Sequence, residues 1–295
     1  MACYHPIGGY QKLGGGFTTS PQKGNGNPMT VPCGRCIGCR LAHGLMWKLR
    51  MVHESRFHDA TCFLTLTYSN EHLPRSGQLV KKHVQDFLKR LRYEIRPIKI
   101  RYYCCGEYGE QSLRPHYHLI VYGYRPDDLQ LYKPGEGQNT YTSERIERVW
   151  GLGFVTVGDV TPETCAYTAR YVTKKISGAQ AETHYQRLHT DTGEVVNVPP
   201  EFSLMSRRPG IGASYFSSYF EELMAHDHVV DNGHPTTVPR YYDKLAEKYH
   251  LPDRHVLKHN RQRRAKEIRS EQTPERLATR EECTLAKTRH YQRGN

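Results

Sequence analysis

No stretch of about 18 consecutive apolar residues occurs in this 295-residue chain, so it offers no candidate for a transmembrane helix. The opening residues, MACYHPIGGYQKLGGG, also lack the apolar run of a secretory signal. A cytoplasmic protein with no membrane partner is therefore expected. Apolar residues are scarce throughout: the hydrophobic share is 37% and the mean hydropathy is −0.74. Much of the chain must then be surface, loop or tail around one core of roughly 150 to 200 residues. Acidic residues are outnumbered, 30 against 42 Lys and Arg, for a net charge of +12. Such an excess fits a polyanion, nucleic acid first and anionic membrane second. An internal repeat is also missing. The nine cysteines, an odd number, do not suggest a disulfide framework; three at regular spacing point to metal ligation plus free thiols in a reducing compartment.

What is present begins with a Gly-, Pro- and Asn-rich segment, residues 8–32, whose lack of periodicity predicts a loop or mobile arm. Leu41, Leu45, Leu49 and Val52 then recur at helical spacing. CFLTLTY, from Cys62 to Tyr68, alternates as a strand and puts Thr65 and Thr67 on one face. An amphipathic helix follows on Val80, Val84, Phe87, Leu88, Leu91 and Ile95, stopped before Pro97. IKIRYYCCG and HYHLIVY read as an antiparallel pair of strands, and Phe154–Val157 as a further short one. Thr161 and Pro162 supply the N-cap and first position of a helix to about Ile176. This order predicts an α+β fold, an antiparallel sheet with helices mainly on one face, plus a Cys-rich amino-terminal segment and a basic helical carboxy-terminal tail. The expected divisions are an arm with the Cys cluster (1–40), a core (41–178), an inserted loop with a basic Gly-containing segment (179–239) and the tail (240–295). From Arg254 onward the tail carries about half of the net charge. Its Arg261, Arg263, Arg264, Lys266 and Arg269 form either a solvated helix or a phosphate-binding arm.

Candidate chemistry concentrates in two places. His116 and His118 alternate around Tyr117, so a strand points both imidazoles to the same face, about 7 Å apart at Cα. Glu107 precedes His116 by nine residues, where an antiparallel return brings it alongside, and Glu110 is the competing carboxylate. Two histidines and a carboxylate suit Mg²⁺ or Mn²⁺, with Zn²⁺ or Fe²⁺ also chemically possible. Tyr167, Tyr171 and Lys174 stand at i, i+4 and i+7 of the later helix, so two phenols and an ammonium share one side. A phenol of pKa about 10 is scarcely ionised at neutral pH and needs a nearby cation to act as a nucleophile. Separately, Cys33, Cys36 and Cys39 form a C-x-x-C-x-x-C array of the kind that ligates zinc or an iron–sulfur cluster. The array reads as a structural Zn²⁺ site completed by Cys3, His5 or His43, with three ordinary thiols as the alternative. The segment SRRPGIG, from Ser206 to Gly212, joins cations to glycines that allow a backbone to approach a phosphate.

Taken in order, FLTLTY, RPHYHLIVYG and YTARYVTKK resemble the three motifs of the HUH-class rolling-circle replication initiators, over roughly Cys62 to Lys175. Two tyrosines four apart resemble the initiators of small isometric single-stranded DNA phages. MACYHP, PCGRCIGCR and MSRRPGIG are similar to segments of gokushovirus replication proteins. The resemblance implies a metal-dependent DNA endonuclease and strand transferase that nicks single-stranded origin DNA and rejoins it during rolling-circle replication. It implies His116, His118 and Glu107 as ligands of the catalytic ion, Tyr167 and Tyr171 as nucleophiles and Lys174 as an accessory. It further implies a 5′-phosphotyrosine adduct, a host polymerase and helicase as partners, and the cytoplasm of a bacterial host. The alternatives are a plasmid initiator, relaxase or transposase of the same chemistry, or a zinc-containing nucleic-acid-binding protein without catalysis.

Overall fold

The computed structural model describes residues 3–109, 112–174, 179–189, 192–249 and 254–293, without the side chains at 171–174, 179–180, 254–255 and 289–293. The chain divides into two compact units, residues 1–45 with 250–295 and residues 46–249. The division falls within the helix Ile37–Ser55 (α1). The amino-terminal arm (1–40) thus groups with residues 250–295 of the tail, whereas the tail's first ten residues, 240–249, belong to the larger unit.

The larger unit is built on a seven-stranded antiparallel sheet. Its strands are Thr61–Thr67 (β1), Arg101–Tyr108 (β2), Pro115–Tyr122 (β3), Gln130–Lys133 (β4), Thr140–Thr142 (β5), Val155–Gly158 (β6) and Phe202–Met205 (β7). They lie in the order β7-β2-β3-β1-β6-β5-β4. Side-chain alternation divides the sheet into two faces. On one, Cys62, Leu64 and Leu66 of β1 and Leu119 and Val121 of β3 join Val84, Phe87, Leu88 and Leu91 of the helix Lys81–Glu94 (α2). Ile146, Val149 and Trp150 of the helix Glu144–Trp150 (α3) complete this main core. On the other, Tyr103, Ile120 and Tyr122 meet Met51 of α1 and Cys165 and Ala169 of the helix Pro162–Lys174 (α4).

Local chemistry sets the ends of the helices. Val80 offers no side-chain cap to α2. Instead its N–H donates to the buried Tyr117 Oη at 2.7 Å, and that of Leu79 to Tyr108 Oη at 3.2 Å, so phenols of the sheet satisfy the orphan donors. In α4 the cap is reciprocal: the Thr164 N–H donates to Thr161 Oγ1 at 3.3 Å and the Thr161 N–H to Thr164 Oγ1 at 2.8 Å. The helix α3 is capped by Ser143, whose Oγ accepts from the Ile146 N–H, and ends at Gly151 in the left-handed region.

The α+β class, the large antiparallel sheet with its helices and the amino-terminal cysteine cluster match the sequence reading. Three features differ. Helices cover both faces, α2 and α3 on one and α1 and α4 on the other, because β2 and β3 bury side chains of both parities. Residues 8–32, read as a loop, contain the strands of a three-stranded sheet, Ile7–Lys12, Phe17–Thr18 and Gly24–Val31. These strands are largely exposed and so leave no hydrophobic alternation to read, and a Cβ on Gly9 would stand 2.6 Å from the Phe17 ring. Within the segment read as an inserted loop, Ala179–His184 is helical, Gln186–Leu188 pairs with Val195–Asn197, and Phe202–Met205 docks on β2 as the sheet edge.

Trp150 wedges α3 between α2 and the sheet. It is fully buried, packs against Phe87, Tyr68 and Tyr117, and donates from Nε1 to the Thr67 carbonyl at 3.0 Å. Trp150→Ala should lower stability by about 3–5 kcal/mol in urea unfolding. Leu131→Ala, at an exposed edge position, should change it by less than about 0.5 kcal/mol. Comparable losses from the two substitutions would show that Trp150 is not a core anchor.

Candidate functional site

Antiparallel register assembles the first part of the site. Along β3, His116 lies opposite Thr67 of β1 and Glu107 of β2, and His118 opposite Thr65 and Cys105. Directly paired residues share a face, so the two imidazoles and the carboxylate all emerge on the side covered by α1 and α4, away from the main core. His118 and Glu107 are both 5% exposed, and His118 Nε2 lies 2.7 Å from Glu107 Oε1. His118 Nδ1 lies 3.1 Å from Thr65 Oγ1. A neutral imidazole satisfies both contacts, donating through Nε2 and accepting the Thr65 hydroxyl at Nδ1. His116 is half-buried. Burial pulls its pKa below the ordinary histidine value, against a backbone hydrogen bond at Arg114 that raises it, and so favours the neutral form that can ligate a metal.

The helix α4 brings the second part. The Tyr167 ring stands edge-on to the His118 ring with centroids 5.1 Å apart, and edge-on to Phe63 at 6.3 Å. Phe63 in turn stacks on His118 at 5.6 Å with planes 5° apart. The Arg170 guanidinium lies 5.8 Å from the Tyr167 ring centroid. The structure therefore brings Tyr167, His118 and Glu107 together, with His116 across the register from Glu107. Tyr171 and Lys174 occupy the last turn of α4, but their side chains lie outside the described residues, as does Glu110. The sequence reading missed Phe63 and Arg170 and gave Thr65 no role. The FxT alternation of β1 was visible, but the partner of that face depends on the register.

His118 and Glu107 offer donor atoms of the kind a hard or borderline divalent ion takes, 2.7 Å apart against roughly 3 Å between neighbouring ligands of an octahedral ion. Among the described residues, however, these two and His116 do not form a close three-ligand group, so the expected set is only partly assembled.

A different group is assembled in the smaller unit. The Sγ atoms of Cys3, Cys33, Cys36 and Cys39 all lie within 4.8 Å of one another, and among the described residues theirs is the group that gathers three or more ligand atoms so closely. Cys3 thus completes the array, whereas His5 pairs with Glu281 at 2.7 Å. A tetrahedron of sulfurs at about 2.3 Å from zinc has edges of about 3.8 Å, and Cys36 Sγ stands 3.9 Å from Cys3 Sγ. Backbone N–H groups already point at the sulfurs, Cys36 N and Arg35 N at Cys33 Sγ and Tyr4 N at Cys36 Sγ, at 3.3–3.4 Å. Burial raises the Cys33 pKa, but these donors outweigh it and bring the thiol down to about 7, while burial and the neighbouring sulfurs push Cys39 up to about 12. Four sulfurs of such unequal acidity, facing one another, are what a bound cation would equalise as thiolates.

The segment 206–212 is held by protein groups. Arg101 donates to the Pro209 carbonyl at 2.9 Å, Arg50 to that of Ile211 at 3.0 Å, and the Gly212 N–H to buried Glu54 at 2.6 Å. A Cβ on Gly210 would stand 2.5 Å from Tyr241 Oη, so this glycine serves close packing. Arg207 and Arg208 remain exposed at the turn.

Residues 61–176 match a family model described as replication-associated protein of the ORF2 kind. The chain is 32% identical over 264 residues to the replication-associated protein VP4 of Bdellovibrio phage phiMH2K, covering 85% of this chain and 78% of that protein. It is 34% identical over 232 residues to the replication-associated protein ORF2 of Spiroplasma virus 4, covering 74% and 68%. With the replication-associated protein ORF4 of Chlamydia phage 1 the identity is 29% over 227 residues, covering 74% and 54%. A comparison with solved structures finds no match. The two similarities above 30%, each spanning more than two thirds of both chains, establish that this chain belongs to the replication-associated proteins of small single-stranded DNA phages.

Proposed function

We propose that the protein initiates rolling-circle replication of a phage genome by nicking single-stranded origin DNA with a tyrosine and remaining covalently attached. The observation that supports this most directly is the edge-on contact of Tyr167 with His118, at 5.1 Å, on the face that also holds Glu107 and His116. Tyr167 Oη attacks the scissile phosphorus, the bond to the 3′ oxygen breaks, and the phenolic proton ends on that oxygen, directly or through water, to give the 3′ hydroxyl. The product is a 5′-phosphotyrosine and a free 3′ end that a host polymerase can extend. Because the tyrosyl ester retains the phosphodiester's bond energy, a later attack by a 3′ hydroxyl reseals the strand without ATP. Tyr171, one helical turn on, serves the second cleavage while the first adduct persists.

The chain's own groups prepare this step. The Arg170 guanidinium, 5.8 Å from the Tyr167 ring centroid, and Lys174 are the cations proposed to offset the charge of the scissile phosphate beside the tyrosine. Phe63 stacks on the His118 ring and Thr65 Oγ1 lies 3.1 Å from its Nδ1, so the ring plane is held; ligation through Nε2 would put the ring proton on Nδ1, donated to Thr65. A divalent ion, Mg²⁺ or Mn²⁺, held by His116, His118 and Glu107, would polarise a non-bridging oxygen of the phosphate. The four cysteines hold a structural Zn²⁺. No described helix is long and apolar enough to cross a membrane, and the proposed place of action is the cytoplasm of a bacterial host, with a host helicase separating the strands.

Tyr167→Phe combined with Tyr171→Phe should abolish the DNA adduct on a denaturing gel after incubation with origin oligonucleotide and Mn²⁺, and each single variant should retain part of it. An adduct that survives the double substitution places the nucleophile elsewhere, and absence of any nick by the native chain favours the non-catalytic reading.

Purified protein should contain about one zinc per chain. Cys36→Ser should lose most of it, whereas Cys283→Ser, outside the cluster, should not. Zinc content unaffected by Cys36→Ser would reject the structural zinc.

A further inference from the structure

The helix α2 has a face that tyrosine chemistry does not use. Its apolar side packs into the main core, which places it across the sheet from His116 and His118. On its outer side Lys81, Gln85, Lys89 and Arg92 are all exposed. Their spacing of i, i+4, i+8 and i+11 makes one ridge about 16 Å long. Arg96 continues it one turn further, its guanidinium 4.7 Å from the ring centroid of Tyr93, which is 70% exposed. The carboxylates of α2 are engaged away from the ridge, Asp86 with Lys82 and Glu94 with Arg148. Among the described residues none of Lys81, Lys89, Arg92 and Arg96 forms a salt bridge. Arg92 lies 5.5 Å from the Tyr102 ring centroid. The Tyr102 backbone exchanges hydrogen bonds with Ser206, at 3.0 and 3.1 Å, so the exposed Arg207–Arg208 turn begins beside the residue that Arg92 covers.

Helix stability does not account for this pattern, since like charges at i, i+3 and i, i+4 weaken a helix. We propose that the ridge is a docking surface for the phosphate backbone of double-stranded DNA. A single strand is gripped by successive aromatic platforms on which its bases stack. Of the rings beside the ridge only Tyr93 is exposed, and it already carries Arg96; Phe202 and Tyr102 are partly buried beneath Lys81 and Arg92, so the outer surface is a row of charges rather than a run of open stacking platforms. Such a row suits the regular phosphate lattice of a duplex, one charge about every 3.4 Å along each strand. The choice of DNA among polyanions rests on the initiator reading. Because the ridge and Tyr167 occupy opposite faces of the sheet, duplex held on α2 is kept from the tyrosine, and the strand to be cut must leave the duplex to reach it.

The test measures the affinity of the full chain for a short duplex of arbitrary sequence over a range of salt. Against the native chain it sets two variants: one with Lys81, Lys89, Arg92 and Arg96 all changed to Gln, and one with Gln85→Lys. At about 0.9 per phosphate contact, the slope of log K against log salt should become shallower by roughly 3 to 4 in the first and steeper by about 1 in the second. Adduct formation on a short single-stranded oligonucleotide should stay at the native level in both. Unchanged duplex slopes in both variants would overturn the proposal, as would a loss of single-strand affinity equal to the loss for duplex. The Gln85→Lys arm reads the ridge even should the fourfold variant fold poorly. Failure of the native chain to form any adduct would reject the tyrosine mechanism and leave the duplex slopes to judge the ridge separately.

Discussion

Everything at the candidate site follows from the register of the three central strands. With β1, β3 and β2 paired as they are, every second residue of each strand faces α1 and α4, and Thr65, Glu107, His116 and His118 are among them. A slip of one residue would turn both histidines into the main core and put Tyr117 and Leu119 in their place. The register resists that slip because its other parity is committed: Leu64, Leu66, Leu119 and Val121 are fully buried beneath α2 and α3. Each contributes roughly 1.5–3 kcal/mol by leaving water. Packing on one side of the sheet thereby pays for precision on the other.

That precision is needed because the polar groups are buried. Glu107 and His118 have almost no access to water, so each must find its partners within the protein. They find each other, and Thr65 takes the remaining imidazole nitrogen. Phe63 closes one side of the His118 ring and Tyr167 meets its edge, which leaves the ring a single orientation. An ion bound there would replace the proton shared between His118 and Glu107, so ligation and the observed hydrogen bond draw on the same two atoms. The contact of α4 with this group follows from its own packing through Cys165 and Ala169, which sets the rotation of the helix and hence the direction of Tyr167.

Charge is distributed with comparable economy. Cations tie segments down: partly buried Arg101 and the Gly212 N–H converge on Glu54, buried Lys48 binds Asp231, and Arg90, though exposed, donates to the last carbonyls of α3. The basic residues of the α2 ridge and the Arg207–Arg208 turn are exposed. In the smaller unit four cysteine sulfurs gather Cys3 beside a turn some thirty residues later, and Tyr4 bonds Thr284 at 2.7 Å. Strands as exposed as those of residues 7–31 bury too little to hold a fold by themselves.

Local pattern in the sequence was enough for the strand Thr61–Thr67, the helices α1, α2 and α4, the N-cap at Thr161, and the nomination of His116, His118, Glu107, Tyr167 and the cysteine triplet. All of these express periodicity, caps or ligand spacing, which are set by residues within a turn or two of one another. The short strands β4, β5 and β7, the exposed amino-terminal sheet and the sharing of helices between both faces carry no such signature, because each exists only through a partner distant in the chain. For the same reason the choice of Cys3 as fourth sulfur, the placement of Phe63, Thr65 and Arg170 around His118 and Tyr167, and the role of Gly210 in packing came only with the fold. Residue type and spacing thus named the side chains able to do chemistry. Which of them meet was left to the folded chain, since meeting depends on strand register and helix rotation, and both are settled by burial across the whole domain.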